Sequence, residues 1–166
     1  MRTVRGLESY PPDVGPSIVA LGAFDGIHLG HRAILGTAVE RGRARGARAV
    51  ACTFDRHPME VLNPARAPAP LTTLAERLHL IAETGVDLTL VLSFTSELAR
   101  IEPEAFSKDV IVGRLSAQEV VVGENHTFGR GARGNTTLLC EIGEPMGLRT
   151  HVVPPLLIDG VVVSSS

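Results

Sequence analysis

The chain has 166 residues, 44% of them hydrophobic and 20% charged, and carries a formal net charge of −2. That length and balance describe one globular, soluble domain with room for a core, and the charge argues against a dedicated nucleic-acid binder. No apolar run approaches the ~20 residues of a membrane-spanning helix, and Met1 to Gly6 lacks the apolar stretch of a secretion signal. Two cysteines, Cys52 and Cys140, have no metal-ligand spacing and read as reduced core thiols of a cytoplasmic protein.

The run Ile18-Val19-Ala20-Leu21 reads as a buried strand. A tight glycine-rich segment, Gly22-Ala23-Phe24-Asp25-Gly26-Ile27-His28-Leu29-Gly30-His31, follows it. The apolar spacing of Ala33, Ile34, Leu35, Ala38 and Val39 predicts a helix from His31 to about Arg45, ending near Gly46. Arg41, Arg43, Arg45 and Arg48 gather at its C-terminal end, where the dipole favours cations, and read as a solvated face. Ala49 to Thr53 is a second buried strand, and Thr53 to Pro58 leaves it as a turn. A Pro/Ala-rich loop spans Asn63 to Pro70, and Thr73 to Glu76 is a capping box for a helix that stops at Gly85.

Leu88 to Leu92 is a third apolar strand. Pro103, between Glu102 and Glu104, opens a helix through Arg114, and Val120 to Val122 is a fourth strand. Gly123 to Gly134 is irregular and glycine-rich, and Asn135 caps a helix to about Glu141. Thr150 to Val153 is another strand, and Asp159-Gly160 is a hairpin turn between Leu156-Leu157-Ile158 and Val161-Val162-Val163, a small β excursion near the C-terminus. Strands alternating with helices predict an α/β, Rossmann-like parallel sheet covered on both faces. Ligands of such sheets bind at the carboxyl ends of the strands.

The histidine pair is the main chemical signal. Two imidazoles three residues apart stand at the mouth of a helix, whose free N–H groups and dipole suit phosphate. Gly26 and Gly30 let backbone approach a ligand closely. Two rival readings stay open at Phe24, which either packs under the turn or meets a ligand, and at Asp25, which either makes an Asx turn or meets one. Phe54 and Phe128 are either core residues or walls of an aromatic site. Arg130 and Arg133 are either phosphate clamps or solvated loop charges.

His-x-Gly-His in a strand–turn–helix resembles the signature of the nucleotidylyltransferase superfamily. The fuller string resembles the bacterial FAD synthetase family, the FMN adenylyltransferase module of bifunctional riboflavin kinase/FAD synthetases. Agreeing segments are Thr53-Phe54-Asp55-Arg56-His57-Pro58, Leu71-Thr72-Thr73, Gly85-Val86-Asp87, Gly123-Glu124-Asn125, Thr127-Phe128-Gly129, Gly134-Asn135 and Ser164-Ser165-Ser166. The resemblance implies transfer of AMP from ATP to FMN, giving FAD and pyrophosphate, with Mg²⁺ bound through substrate phosphates.

By that resemblance, His28 and His31 act on the triphosphate. Gly22, Phe24, Asp25, Gly26, Gly30, Asn125, Ser164, Ser165 and Ser166 join them around ATP. Phe54, His57, Pro58, Asn125 and Phe128 form the FMN side. Arg56, His126 and Thr127 depart from the family pattern, which has proline, an aromatic and arginine at these places. Residues 1–166 are expected to be one adenylyltransferase domain, cut within its last signature, in a parent protein with a C-terminal riboflavin kinase domain. Alternatives are a related transferase with another acceptor, or a nucleotide- or flavin-binding fragment without turnover.

Overall fold

The computed structural model describes residues 1–155 and the backbone of residues 157–158 and 161–162. Six strands form one parallel sheet: β1 (Arg2–Arg5), β2 (Ser17–Leu21), β3 (Arg48–Phe54), β4 (Leu88–Leu92), β5 (Ala117–Gly123) and β6 (Arg149–Val153). Their order across the sheet is β1-β4-β3-β2-β5-β6. The chain builds outward from β2 through β3 to β4, then crosses back to β5 and on to β6. The carboxyl end of β2 therefore lies beside the point where the strand order reverses, the natural crevice of an open α/β sheet.

Helix α1 (Leu29–Arg45) and α3 (Leu74–Ala82) belong to one face, over Ile18, Ala20, Ala49, Ala51 and Val121. The other face carries Val19, Leu21, Val50, Leu90, Val120 and Val122, packed with Phe106, Val110, Ile111 and Leu139. Successive β2 residues alternate between the two clusters because strand side chains alternate faces. Both faces are covered, so β2 and β4 are buried at every position. Among the described residues no helix is long and apolar enough to cross a membrane.

Several local signals act as expected. Gly46 closes α1 in the left-handed region at φ 65°, its amide bonded to the Gly42 carbonyl. Thr73 accepts from the Glu76 amide and opens α3. Asn135 accepts from the Leu138 amide and opens α6 (Thr136–Gly143). The short helices α2 (Met59–Leu62), α4 (Ser96–Ala99) and α5 (Pro103–Ala105) add single turns.

Other features differ from expectation. Strand β1 lies outside the expected elements: its single buried residue, Val4, gives no apolar run, and it is an edge strand paired only to β4. The segment expected as one helix from Pro103 starts as α5, then continues over Phe106–Arg114 with i→i−5 bonding. Cys52 is buried but Cys140 is exposed, so only Cys52 is a core thiol. Strands β7 (Leu157–Ile158) and β8 (Val161–Val162) pair antiparallel. The Asp159-Gly160 turn expected between them and the Ser164-Ser165-Ser166 segment lie outside the described residues.

The arginine cluster also departs from a purely solvated face. Glu119 on β5 has a fully buried side chain. Arg41 grips it with Nε at 2.9 Å and Nη2 at 3.0 Å, Arg45 Nη1 lies at 3.1 Å, and His151 of β6 adds its Nε2. The Arg41 hydrogen bonds outweigh burial and hold the Glu119 carboxyl down at about 2. This ionic knot ties the C-terminal half of α1 to β5 and β6. Removing one partner of such a pair strands a buried charge. Arg41→Met should therefore cost on the order of 3 kcal/mol in denaturant unfolding, while Arg43→Met, on an exposed side chain of the same helix, should change stability by less than about 0.5 kcal/mol.

Candidate functional site

The turn from Gly22 to His28 leaves β2 in a strained path. Phe24 and Ile27 both sit at positive φ, 54° and 38°, which costs free energy for residues with a Cβ. Packing over-determines the path: the Phe24 side chain is 0% exposed and Ile27 is 5% exposed. The Phe24 ring lies edge-on to His31, with centroids 5.5 Å apart. It thus supports the turn from beneath, and a contact of Phe24 with a ligand would run through its backbone. A Cβ on Gly22 would lie 2.8 Å from the Phe24 ring, so only glycine lets that ring tuck under.

Asp25 is also committed to structure. Burial opposes its charge, but hydrogen bonds from the Leu71 amide and from the Thr72 hydroxyl and amide prevail and lower its pKa. These bonds are 2.8–3.0 Å long, and Gly26 donates back to the Thr72 hydroxyl. The carboxylate staples the Leu71-Thr72 segment to the turn.

His28 is the N-cap of α1. Its Nδ1 accepts from the amides of Gly30, at 3.0 Å, and His31, at 3.3 Å. A nitrogen that accepts carries no proton, so neutral His28 holds its hydrogen on Nε2. Capping and ligand contact are therefore compatible: the cap fixes the tautomer and leaves an N–H donor. Gly30 makes room, since a Cβ there would stand 2.9 Å from His28 Cε1. His31 stacks on His28 with centroids 3.7 Å apart and planes at 19°. Its Nδ1 is buried and unpartnered.

Arg77 lies outside every expected site residue, yet it is 6% exposed. Its Nη1 donates to the Ala23 carbonyl at 2.7 Å and to the Thr53 hydroxyl at 3.3 Å. Thr53 in turn donates to Ala23. The guanidinium thus ties the histidine turn to the end of β3. From sequence it reads as one more cation in the second turn of a capped helix, and only its burial marks it out. With Asp25, Asp55, Arg56, His57, Thr72 and Thr73 it lines a polar pocket of about 170 Å³.

A larger cavity of about 440 Å³ opens at the carboxyl ends of β2 and β3, within the usual range for small-molecule sites. Its lining is mainly apolar, with Phe54, Pro58, Phe94, Phe106 and Phe128 prominent, and it includes Gly22. Phe54 and Phe94 meet edge to face at 5.2 Å. Phe128 is held by paired backbone bonds with Gly134, closing the glycine-rich loop into a wall. His57 lies in the smaller pocket, and its Nδ1 caps the Met59 amide. Asn125 is exposed on the turn after β5. Arg130 and Arg133 pair with Glu102, and Arg133 also with Glu104, so both are engaged by carboxylates.

These parts bring the histidine turn, the α1 N-terminus and an aromatic cavity together at the switch point of a doubly wound sheet. They define a doubly wound α/β protein with a candidate ligand site at its switch point. A family model described as FAD synthetase matches residues 11–166. The bifunctional riboflavin kinase/FMN adenylyltransferase of Escherichia coli K12 is 34% identical over 168 residues, covering all of this chain and 53% of that protein. The protein of the same name from Pseudomonas fluorescens is 32% identical over 166 residues, with the same shares. A crystal structure described as a macrolide-efflux protein from Streptococcus pneumoniae superposes with a TM-score of 0.86 at 25% identity, covering 99% of this chain and 54% of that one. The chain belongs to the FAD synthetase family, and it spans about half the length of the curated relatives it matches.

Burial, reinforced by the neighbouring His28 charge and opposed by Asp25, pushes the His31 pKa down to about 4. Burial lowers that of His28 as well. Both rings are neutral at pH 7. The unfolded chain protonates His31 near 6.5, the folded one near 4. Between these values the unfolded state binds more protons, so stability falls as pH drops. The denaturation midpoint should decline across that window, and His31→Gln should remove part of the decline. Parallel pH profiles for the two proteins would show that His31 is not held neutral.

Proposed function

We propose that this chain transfers AMP from ATP to FMN, giving FAD and pyrophosphate. One observation carries the reading: the aromatic cavity and the histidine turn meet at Gly22, which belongs to both. A flat flavin ring in the cavity would therefore hold its phosphate chain toward the α1 N-terminus. The family and the names of its relatives support the same acceptor.

In this scheme the triphosphate rests on the first amides of α1, beside Gly26, His28, Gly30 and His31. An FMN phosphate oxygen attacks the α-phosphorus in line. The bond to the β-phosphate breaks, and pyrophosphate leaves with the electron pair. No covalent enzyme intermediate is needed. The Nε2–H of His28 donates to phosphoryl oxygen as charge builds there, and His31 stands stacked beside it. A neutral donor with a fixed tautomer requires little reorganisation during the step. Asn125, exposed after β5, serves nucleotide or flavin phosphate in this reading, and Ser164, Ser165 and Ser166 serve pyrophosphate.

Mg²⁺ would enter as the companion of ATP and supply charge neutralisation on the phosphates. Among the described residues no three His, Cys, Asp or Glu side chains cluster to hold a metal. The Asp25 carboxylate is already taken by Leu71 and Thr72. No step is assigned to a protein-held ion. The bifunctional names of relatives about twice as long support a riboflavin kinase module following this domain in a longer parent protein.

Incubation with ATP, Mg²⁺ and FMN should yield FAD, separable by chromatography, and no FAD would overturn the proposal. His28→Ala and His31→Ala should each lower turnover by roughly 10² or more, the usual loss for a transition-state donor. His28→Ala should also cost about 1 kcal/mol of stability as a lost cap. Wild-type turnover in both would remove the histidines from the mechanism.

Phe54→Ala should weaken FMN binding by roughly tenfold and leave ATP binding within about twofold, because ring contact is lost on one ligand only. Calorimetric titration with each ligand checks this. Equal losses would make Phe54 a packing residue.

A further inference from the structure

His126 and its neighbour Thr127 bring polar side chains to a cavity otherwise lined mainly by hydrocarbon, and His126 is the one with a titratable ring. It sits on the loop that follows β5, its amide bonded to the Gly123 carbonyl at 3.0 Å. Its ring lies nearly parallel to Phe128, with centroids 5.8 Å apart and planes at 18°. The residue lines the cavity, yet its Nε2 is shut off from solvent and has no hydrogen-bond partner. Burial pushes its pKa down to about 4. The imidazole is therefore neutral at pH 7, with one nitrogen a donor and the other an acceptor.

A buried polar atom left unpaired is costly, and folded proteins rarely keep one without a reason. Shut off from solvent, Nε2 is turned away from the open cavity as the ring stands. Of the residues lining the cavity, Leu21, Phe54, Phe94 and Phe106 present hydrocarbon and Cys52 only a weakly bonding thiol, and the adjacent Thr127 makes no hydrogen bond to it. A purely structural aromatic here would need no nitrogen, because stacking on Phe128 and closing the wall ask only for a flat ring. A ligand that fills the cavity can complete the pair, after rotation of the imidazole about its soft terminal torsion. It must be flat to lie among the aromatic rings, and it must carry a donor or acceptor on its edge.

We propose that His126 is a specificity-determining residue that hydrogen-bonds an edge heteroatom of a flat heteroaromatic ring seated in this cavity. The inference rests on the FMN reading, in which that ring is the isoalloxazine. A site built to pair a ring heteroatom rejects a ring without it, because its own polar group would stay buried and unpaired. The residue thus helps choose the acceptor while the histidine turn performs the transfer.

His126→Phe keeps a flat ring against Phe128 and removes both nitrogens. Wild type and variant are titrated with FMN, following quenching of flavin fluorescence, and with ATP by calorimetry. The visible absorption of bound FMN is recorded in each, since a hydrogen bond to the ring perturbs it and a packing change elsewhere does not. The variant should bind FMN roughly tenfold more weakly, bind ATP as the wild type does, and hold flavin with displaced visible bands. Superimposable bound spectra overturn the assignment whatever the affinities, and leave the cavity a flavin site. Equal weakening of FMN and ATP overturns it as a folding effect. Failure of the wild type to bind FMN overturns the underlying reading, and this inference with it.

Discussion

The hydrogen bonds from the Gly30 and His31 amides to His28 Nδ1 are the constraint on which the site depends. They start α1 at a fixed residue, and so fix where its free amides and positive dipole end lie. They also place the His28 proton on Nε2, turning a titratable ring into a donor of defined direction. His31 then follows within the first turn and stacks on its partner. The strain at Phe24 and Ile27 is tolerated because the cap, the buried Phe24 ring and the Asp25 staple hold the turn from three sides. Local strain of this kind, held by packing, is how a rigid scaffold aims side chains outward.

Two kinds of environment meet at that turn. On one side is an aromatic cavity in which a large flat ring can be desolvated. On the other are amides and neutral imidazoles suited to spread anionic charge. In the proposed transfer the two act together. Their meeting at Gly22 follows from the sheet order, which sets the carboxyl end of β2 between β3 and β5. Arg77 strengthens the join by binding Ala23 and Thr53 together.

At the far end of α1 the knot of Glu119, Arg41, Arg45 and His151 has a different task. It lies at the opposite end of the same helix from His28 and His31, and it fastens that helix to β5 and β6. A buried ionic group of this kind is weak evidence for net stability, since apolar replacements often do as well. Its directional bonds nonetheless favour one docking of α1 on the sheet, and thereby one position for the N-terminus that carries the site.

The sequence by itself determined the elements with strong local chemistry. The apolar runs at β2 to β5, the Thr73 and Asn135 caps, the Gly46 stop and the histidine turn were all legible, because each depends on residues adjacent in the chain. Strand β1 was not, since Arg2-Thr3-Val4-Arg5 becomes a strand only by pairing with β4. The arginines of α1 read as solvated because nothing local shows that Glu119, 78 residues beyond Arg41, is buried beneath them. Arg77 and the unpartnered His126 nitrogen were invisible for the same reason: burial is a property of packing, not of neighbours in sequence. Phe24 and Phe128 had two readings each, and packing separated them, one wholly under the turn and one in the cavity wall. The chemistry was written in short motifs, and the tertiary structure decided which side chains line the cavities and which hold the others in place.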